Sequence, residues 1–81
     1  MPYIKPGRRG RLDKGALPLD VGDLNYSITR LCQEYLAVTP RTYADYNAVM
    51  GVLECAKLEL YRRQVAGHED DKCESNGDVY R

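Results

Sequence analysis

Eighty-one residues form at most one small domain, and a chain this short hides only about 60% of its unfolded surface on folding. Twelve Lys and Arg balance twelve Asp and Glu, so the chain lacks the basic excess of a generic nucleic-acid binder. No apolar run approaches the roughly 18–20 residues of a membrane span, and Met1-Pro2-Tyr3-Ile4-Lys5 has no signal-peptide core, so a cytoplasmic protein is expected.

Tyr3-Ile4-Lys5-Pro6 reads as an extended arm. Pro6 suits the first position of a short helical turn through Leu12, because its φ is already near the helical value. Gly7 and Gly10 weaken that turn. Gly15 to Pro18 is a connector, since Pro18 disfavours helical geometry at Leu17.

A first long helix is expected over about 22–37. Asp20 or Asp23 caps its N-terminus, where a carboxylate satisfies free amides and meets the positive end of the dipole. Leu24, Ile28, Leu31 and Tyr35 follow helical spacing, with Cys32 and Leu36 widening the stripe. Thr39-Pro40 ends it.

A second helix is expected over about 43–66. Thr42-Tyr43-Ala44-Asp45 fits a reciprocal start signal, in which the hydroxyl and the carboxylate each take the other residue's amide. Gly67 is the expected C-terminal cap, with Arg62 and Arg63 in the last turns. Tyr46, Val49, Met50, Leu53, Ala56, Leu60 and Val65 form the main apolar stripe, while Val52, Leu58 and Tyr61 lie off it. The remaining residues, 68–81, read as a polar tail with a turn at Asn76-Gly77 and a small apolar anchor at Val79-Tyr80.

These elements give an all-α chain organised as a basic arm and connector (1–19), an antiparallel helical hairpin (20–67) and an acidic tail (68–81). A hairpin has no enclosed core, and its second helix is apolar on more than one side. The expected remedy is self-association into a homo-oligomeric helical bundle, a dimer or higher. Gly51 fits this reading, because a mid-helix glycine costs about 1 kcal/mol against Ala and is commonly compensated by close approach of another backbone.

Seven Tyr with no Phe or Trp point to half-buried sites such as a subunit boundary or a ligand pocket. Three Cys give neither a closed disulfide set nor a metal-ligand spacing, so Cys32 and Cys55 are read as buried helical thiols and Cys73 as a tail thiol. No catalytic, cofactor or metal motif is present. Glu54 and Glu59 do not share a face, and Glu69-Asp70-Asp71 reads as a solvated acidic cluster.

Charge, by contrast, is segregated. Residues 1–14 carry Lys5, Arg8, Arg9, Arg11 and Lys14 against Asp13, whereas residues 68–81 carry five carboxylates against Lys72 and Arg81. The two ends suit each other, within a chain or between subunits. The alternative is a phosphate held by the arm, since three of its cations are Arg, with their planar fork of donors. The candidate ligand-binding set is then Tyr3, Lys5, Arg8, Arg9 and Arg11 on the arm, Asn25 and Arg30 on the first helix, and Asn47, Glu54, Tyr61 and Arg62 on the second. Arginines for phosphate, a tyrosine face for a base and Asn or Glu for polar edges form the mixture that a nucleotide needs.

The opening Pro2-Tyr3-Ile4-Lys5-Pro6 with Arg8-Arg9, the Leu24-Asn25-Tyr26 segment, Val52-Leu53-Glu54 running through Lys57-Leu58-Glu59 to Tyr61-Arg62-Arg63, and the closing Asn76-Gly77-Asp78-Val79-Tyr80 carry a resemblance. Together they are similar to a family of short, uncharacterised helical proteins of bacteria and their phages. Gly7 and Gly10 depart from that pattern. The resemblance brings no activity, but the phage setting suggests a sponge that sequesters nucleotide signals of host immunity. The leading expectation is therefore a non-catalytic oligomeric binder of a phosphate-bearing small molecule, with a protein-interaction module as the alternative. Nucleic acid through the arm and pyrophosphatase chemistry are weaker readings. The latter needs inward carboxylates that Glu34, Glu54 and Glu59 do not supply.

Overall fold

The computed structural model describes residues 1–80; Arg81, counted in the acidic tail, lies outside the described residues. The described residues are all-helical: α1 (Pro6–Asp13), α2 (Val21–Ala37), α3 (Tyr43–Leu60), a π-helical turn (Tyr61–Val65) and α4 (Ala66–Asn76). None of the helices is long and apolar enough to cross a membrane. The chain divides into two units, Met1–Tyr46 and Asn47–Arg81.

In the first unit the arm is more structured than the sequence suggests. Pro6 does open α1, and the helix runs through Gly7 and Gly10 to Asp13. Their propensity cost is offset by tertiary contact, because α1 packs on α2 and buries Leu12. Ile4, just ahead of the helix, is buried as well. Gly22 allows this seat: a Cβ there would sit 3.1 Å from the Ile4 Cγ2 atom. Asp20 caps α2 by accepting from the Asp23 amide at 2.8 Å.

The start of α3 matches the reciprocal signal. Thr42 N donates to Asp45 Oδ2 at 2.9 Å, and Asp45 N donates to Thr42 Oγ1 at 3.3 Å. Between the helices Arg41 adopts φ 58°, the left-handed region, with its amide donating to Thr39 Oγ1 at 3.2 Å.

In the second unit the helical run does not end at Gly67. That residue lies inside α4, and the expected polar tail is helical as far as Asn76. One glycine costs about 1 kcal/mol, too little to stop a helix whose next residues are ordinary helix formers. Termination falls at Gly77, with φ 90° and its amide bonded to the Cys73 carbonyl at 2.9 Å. The π turn is a second departure: Ala66 N donates to the Tyr61 carbonyl, five residues back. Beyond it, Tyr61 Oη donates to Glu69 Oε1 at 2.7 Å.

Ile4 and Leu12 are the only buried hydrophobic residues among those described. Ile4→Ala is therefore expected to loosen α1 from α2 at a cost of about 2 kcal/mol or more. Urea melts followed by circular dichroism should show earlier loss of helix in this variant.

Candidate functional site

The polar centre of the first unit is Asp23, whose side chain is 1% exposed. Its position follows from the α2 cap: once Asp20 takes the first turn's amide, Asp23 on the same turn faces α1. Arg8 Nη2 bridges the two carboxylates, 2.6 Å from Asp20 Oδ2 and 2.5 Å from Asp23 Oδ1. Arg11 Nη2 donates to Asp23 Oδ2 at 2.9 Å, and its Nη1 donates to the Leu17 carbonyl at 3.1 Å, strapping the connector. The Leu19 amide completes the set at 3.0 Å. Four donors thus satisfy one buried carboxylate and its neighbour. Hydrogen bonding from the Leu19 amide, reinforced by Arg8 and Arg11, holds the Asp23 carboxyl below its ordinary value.

This network accounts for two of the arm's three arginines. The third, Arg9, donates through Nε to the Ile4 carbonyl at 2.7 Å, fixing the turn ahead of α1. Tyr3 and Lys5 are exposed. The basic arm is thus committed chiefly to holding its own unit together, and the pairing of charges is local: α1 with the start of α2. The signal was present in the sequence. Arg8 and Arg11 are three apart on one face of α1, and Asp20 and Asp23 stand at the cap and third residue of α2.

Farther along α2, Asn25 accepts from Thr29 Oγ1 through its backbone carbonyl at 2.8 Å and its side-chain Oδ1 at 3.3 Å. Arg30 pairs with Glu34 at 3.2 Å and approaches Asp13 at 3.5 Å. Asp13 also accepts from Tyr26 Oη at 2.7 Å, which raises the Tyr26 phenol above its ordinary value.

Arg30 also lines a cleft of about 470 Å3 at the α2–α3 connection, together with Gln33, Glu34, Arg41 and Tyr46. The cleft is open to solvent, and Gln33, Glu34, Arg41 and Tyr46 along it are exposed. Sequence reasoning chose Arg30 but passed over Gln33, Arg41 and Tyr46. Arg41 looks like an unremarkable connector residue until its left-handed backbone is seen.

The chosen residues of the second unit make local contacts. Asn47 is exposed on α3. Glu54 pairs with Lys57 at 3.2 Å, Arg62 with Glu59 at 2.8 Å, and Tyr61 with Glu69. The two ion pairs, each exposed and three residues apart, contribute little to stability. Cys32 is half-buried, but Cys55, expected inside, is exposed on α3, as is Cys73 on α4. The burial expectation for Cys55 came from the tendency of a free thiol to pack as a small hydrophobe, and it fails because α3 residues are exposed almost throughout. Among the described residues no cluster of three His, Cys, Asp or Glu is placed to hold a metal ion.

Because the folded Asp23 carboxyl titrates below its ordinary 3.8, its stabilising effect is complete above that pH and is lost as pH falls through the lower folded value. Thermal melts should show the first unit weakening only below about pH 4. Asp23→Asn should lower the neutral-pH melting temperature by several degrees and flatten the acid limb, since Asn leaves Arg8 and Arg11 without their shared anion.

Comparison with curated proteins and with solved structures finds no match. A family model described as Domain of unknown function (DUF6899) matches residues 1–79. With nearly the whole chain matched, from the Ile4 seat through Val79, the protein belongs to that family of uncharacterised small proteins.

Proposed function

We propose that this chain is a non-catalytic interaction module whose working form is an assembly of copies of itself. In that form α2 and α3 close as an antiparallel hairpin, and the hairpins pack as a helical bundle. The observation that carries this reading is unburied apolar surface. The chain exposes 7010 Å2, whereas a folded monomer of 9.2 kDa exposes about 4,900 Å2. The excess, about 2,100 Å2 per chain, exceeds the roughly 800 Å2 that each partner of a standard interface removes from water, which leaves area for hairpin closure as well as for a second copy.

Particular residues locate that surface. On α3 Met50, Val52, Leu53, Leu58 and Leu60 are all exposed, Val52 at 67%. Leu24, Ile28, Leu31 and Tyr35 on α2 are exposed too. Closing the hairpin covers one stripe of α3; copies of the chain cover the residues off that stripe. This is a burial problem that a second copy solves without new chemistry, and a C2 arrangement solves it for both partners at once.

A second reading, a binder of a phosphate-bearing small molecule, is favoured by one observation. The α2–α3 cleft is lined by two arginines, Arg30 and Arg41, and by Tyr46.

Analytical ultracentrifugation at micromolar concentration should return a dimer or larger species; a cooperatively melting monomer would sink the assembly. Gly51→Ala sharpens the test. A Cβ at that position meets nothing within 4 Å in the single chain, so the change alone favours helix by about 1 kcal/mol. If another backbone closes on Gly51 in the bundle, the variant instead associates more weakly than the parent.

A further inference from the structure

Arg41 is held in a costly conformation whose internal return is one hydrogen bond from its amide to Thr39 Oγ1. Its φ of 58° is one that glycine or asparagine adopts more cheaply than a long side chain does. The conformation is fixed from both sides. Upstream, Thr39 Oγ1 donates to the Leu36 carbonyl at 2.7 Å and accepts from the Arg41 amide. Downstream, Thr42 is locked to Asp45.

Yet the Arg41 guanidinium has no carboxylate or hydrogen-bond partner among the described residues. Arg8, Arg11, Arg30 and Arg62 each hold a carboxylate, Arg9 holds a carbonyl, and among the described residues only Arg63 shares Arg41's lack of a partner. Its side chain instead lines the cleft with Gln33 and Tyr46. A left-handed arginine with an unpaired guanidinium, beside a cavity, is a reason to look for a ligand.

The lining states what that ligand is. Arg41 offers an unspent fork of donors to an oxyanion. Arg30 is spent on its neighbours: its Nε lies 3.5 Å from Asp13 Oδ1, its Nη2 3.2 Å from Glu34 Oε1, and its Nη1 donates to Gln33 Oε1 at 3.4 Å. Tyr46 brings an aromatic residue to the lining, and Gln33 keeps its amide donors, its Oε1 already accepting from Arg30. The carboxylate of Glu34 repels an anion near Arg30, which leaves Arg41 as the anion's anchor.

We infer that the α2–α3 cleft is a binding site for a small molecule joining a phosphate to a flat heteroaromatic ring, of the nucleoside monophosphate class, with the phosphate on Arg41 and the ring on Tyr46. The inference rests on the second reading above and moves its phosphate from the arm to the connection between helices. It does not require self-assembly, so the centrifugation result and the binding result fail separately.

The test is a titration of the full chain with adenosine monophosphate, with adenosine and with inorganic phosphate, followed by amide chemical shifts, alongside thermal melts of Arg41→Gly and Arg41→Lys. Adenosine monophosphate should shift amides of residues 33–46 at submillimolar concentration, and each fragment should bind at least about tenfold more weakly. Arg41→Gly should melt at a higher temperature than the parent, because glycine relieves the strained φ, while losing at least about tenfold in affinity. Arg41→Lys should keep part of the affinity. A lower melting temperature for Arg41→Gly would make Arg41 a structural residue and overturn the inference. So would equal affinity in that variant, inorganic phosphate binding as well as the nucleotide, or no shift at millimolar nucleotide.

Discussion

The first unit depends on one carboxylate. Burying Asp23 without partners would cost far more than a chain with two buried hydrophobic residues can recover. Arg8, Arg11 and the Leu19 amide remove that cost, and in doing so they fix where α1 lies, how the connector runs and where α2 begins. Leu12 and Ile4 then have a surface to pack against. The order of dependence is unusual for a small helical protein: the polar network sets the geometry, and the scant apolar contact follows it.

That network changes the meaning of the basic arm. Read as a string, Lys5, Arg8, Arg9 and Arg11 form a cationic patch seeking an anion. Folded, its arginines have found their anions and carbonyls within twelve to fifteen residues or fewer. The positive charge left without a partner at the α2–α3 connection belongs to Arg41, a residue with no local charge pattern to announce it.

Much of the secondary structure was legible in the sequence because its signals are local. Pro6 at the head of α1, Asp20 capping α2, and Thr42 with Asp45 opening α3 each act over three or four residues, and each is found as read. Gly67 misled because propensity is a weak force that neighbours override, whereas Gly77, with its positive φ, is a true stop. The arginine–aspartate network was half legible: the matched spacing is in the sequence, but the turn that brings Arg8 to Asp20 is not. The π turn and the left-handed Arg41 had no readable signal, since both are outcomes of how adjoining segments meet.

The π turn carries a consequence for how far any neighbour can follow α3. Each residue of an α-helix advances about 100° around the axis, so the one added residue of a wider turn swings everything after it by roughly that angle. Val65 and the side chains of α4 therefore do not prolong the seam that Tyr46, Val49, Met50 and Leu53 begin. A helix laid along that seam runs out of matching surface near Tyr61. The backbone itself acts as a ruler: the side chains of α3 keep one register, and those of the acidic helix beyond the turn start another.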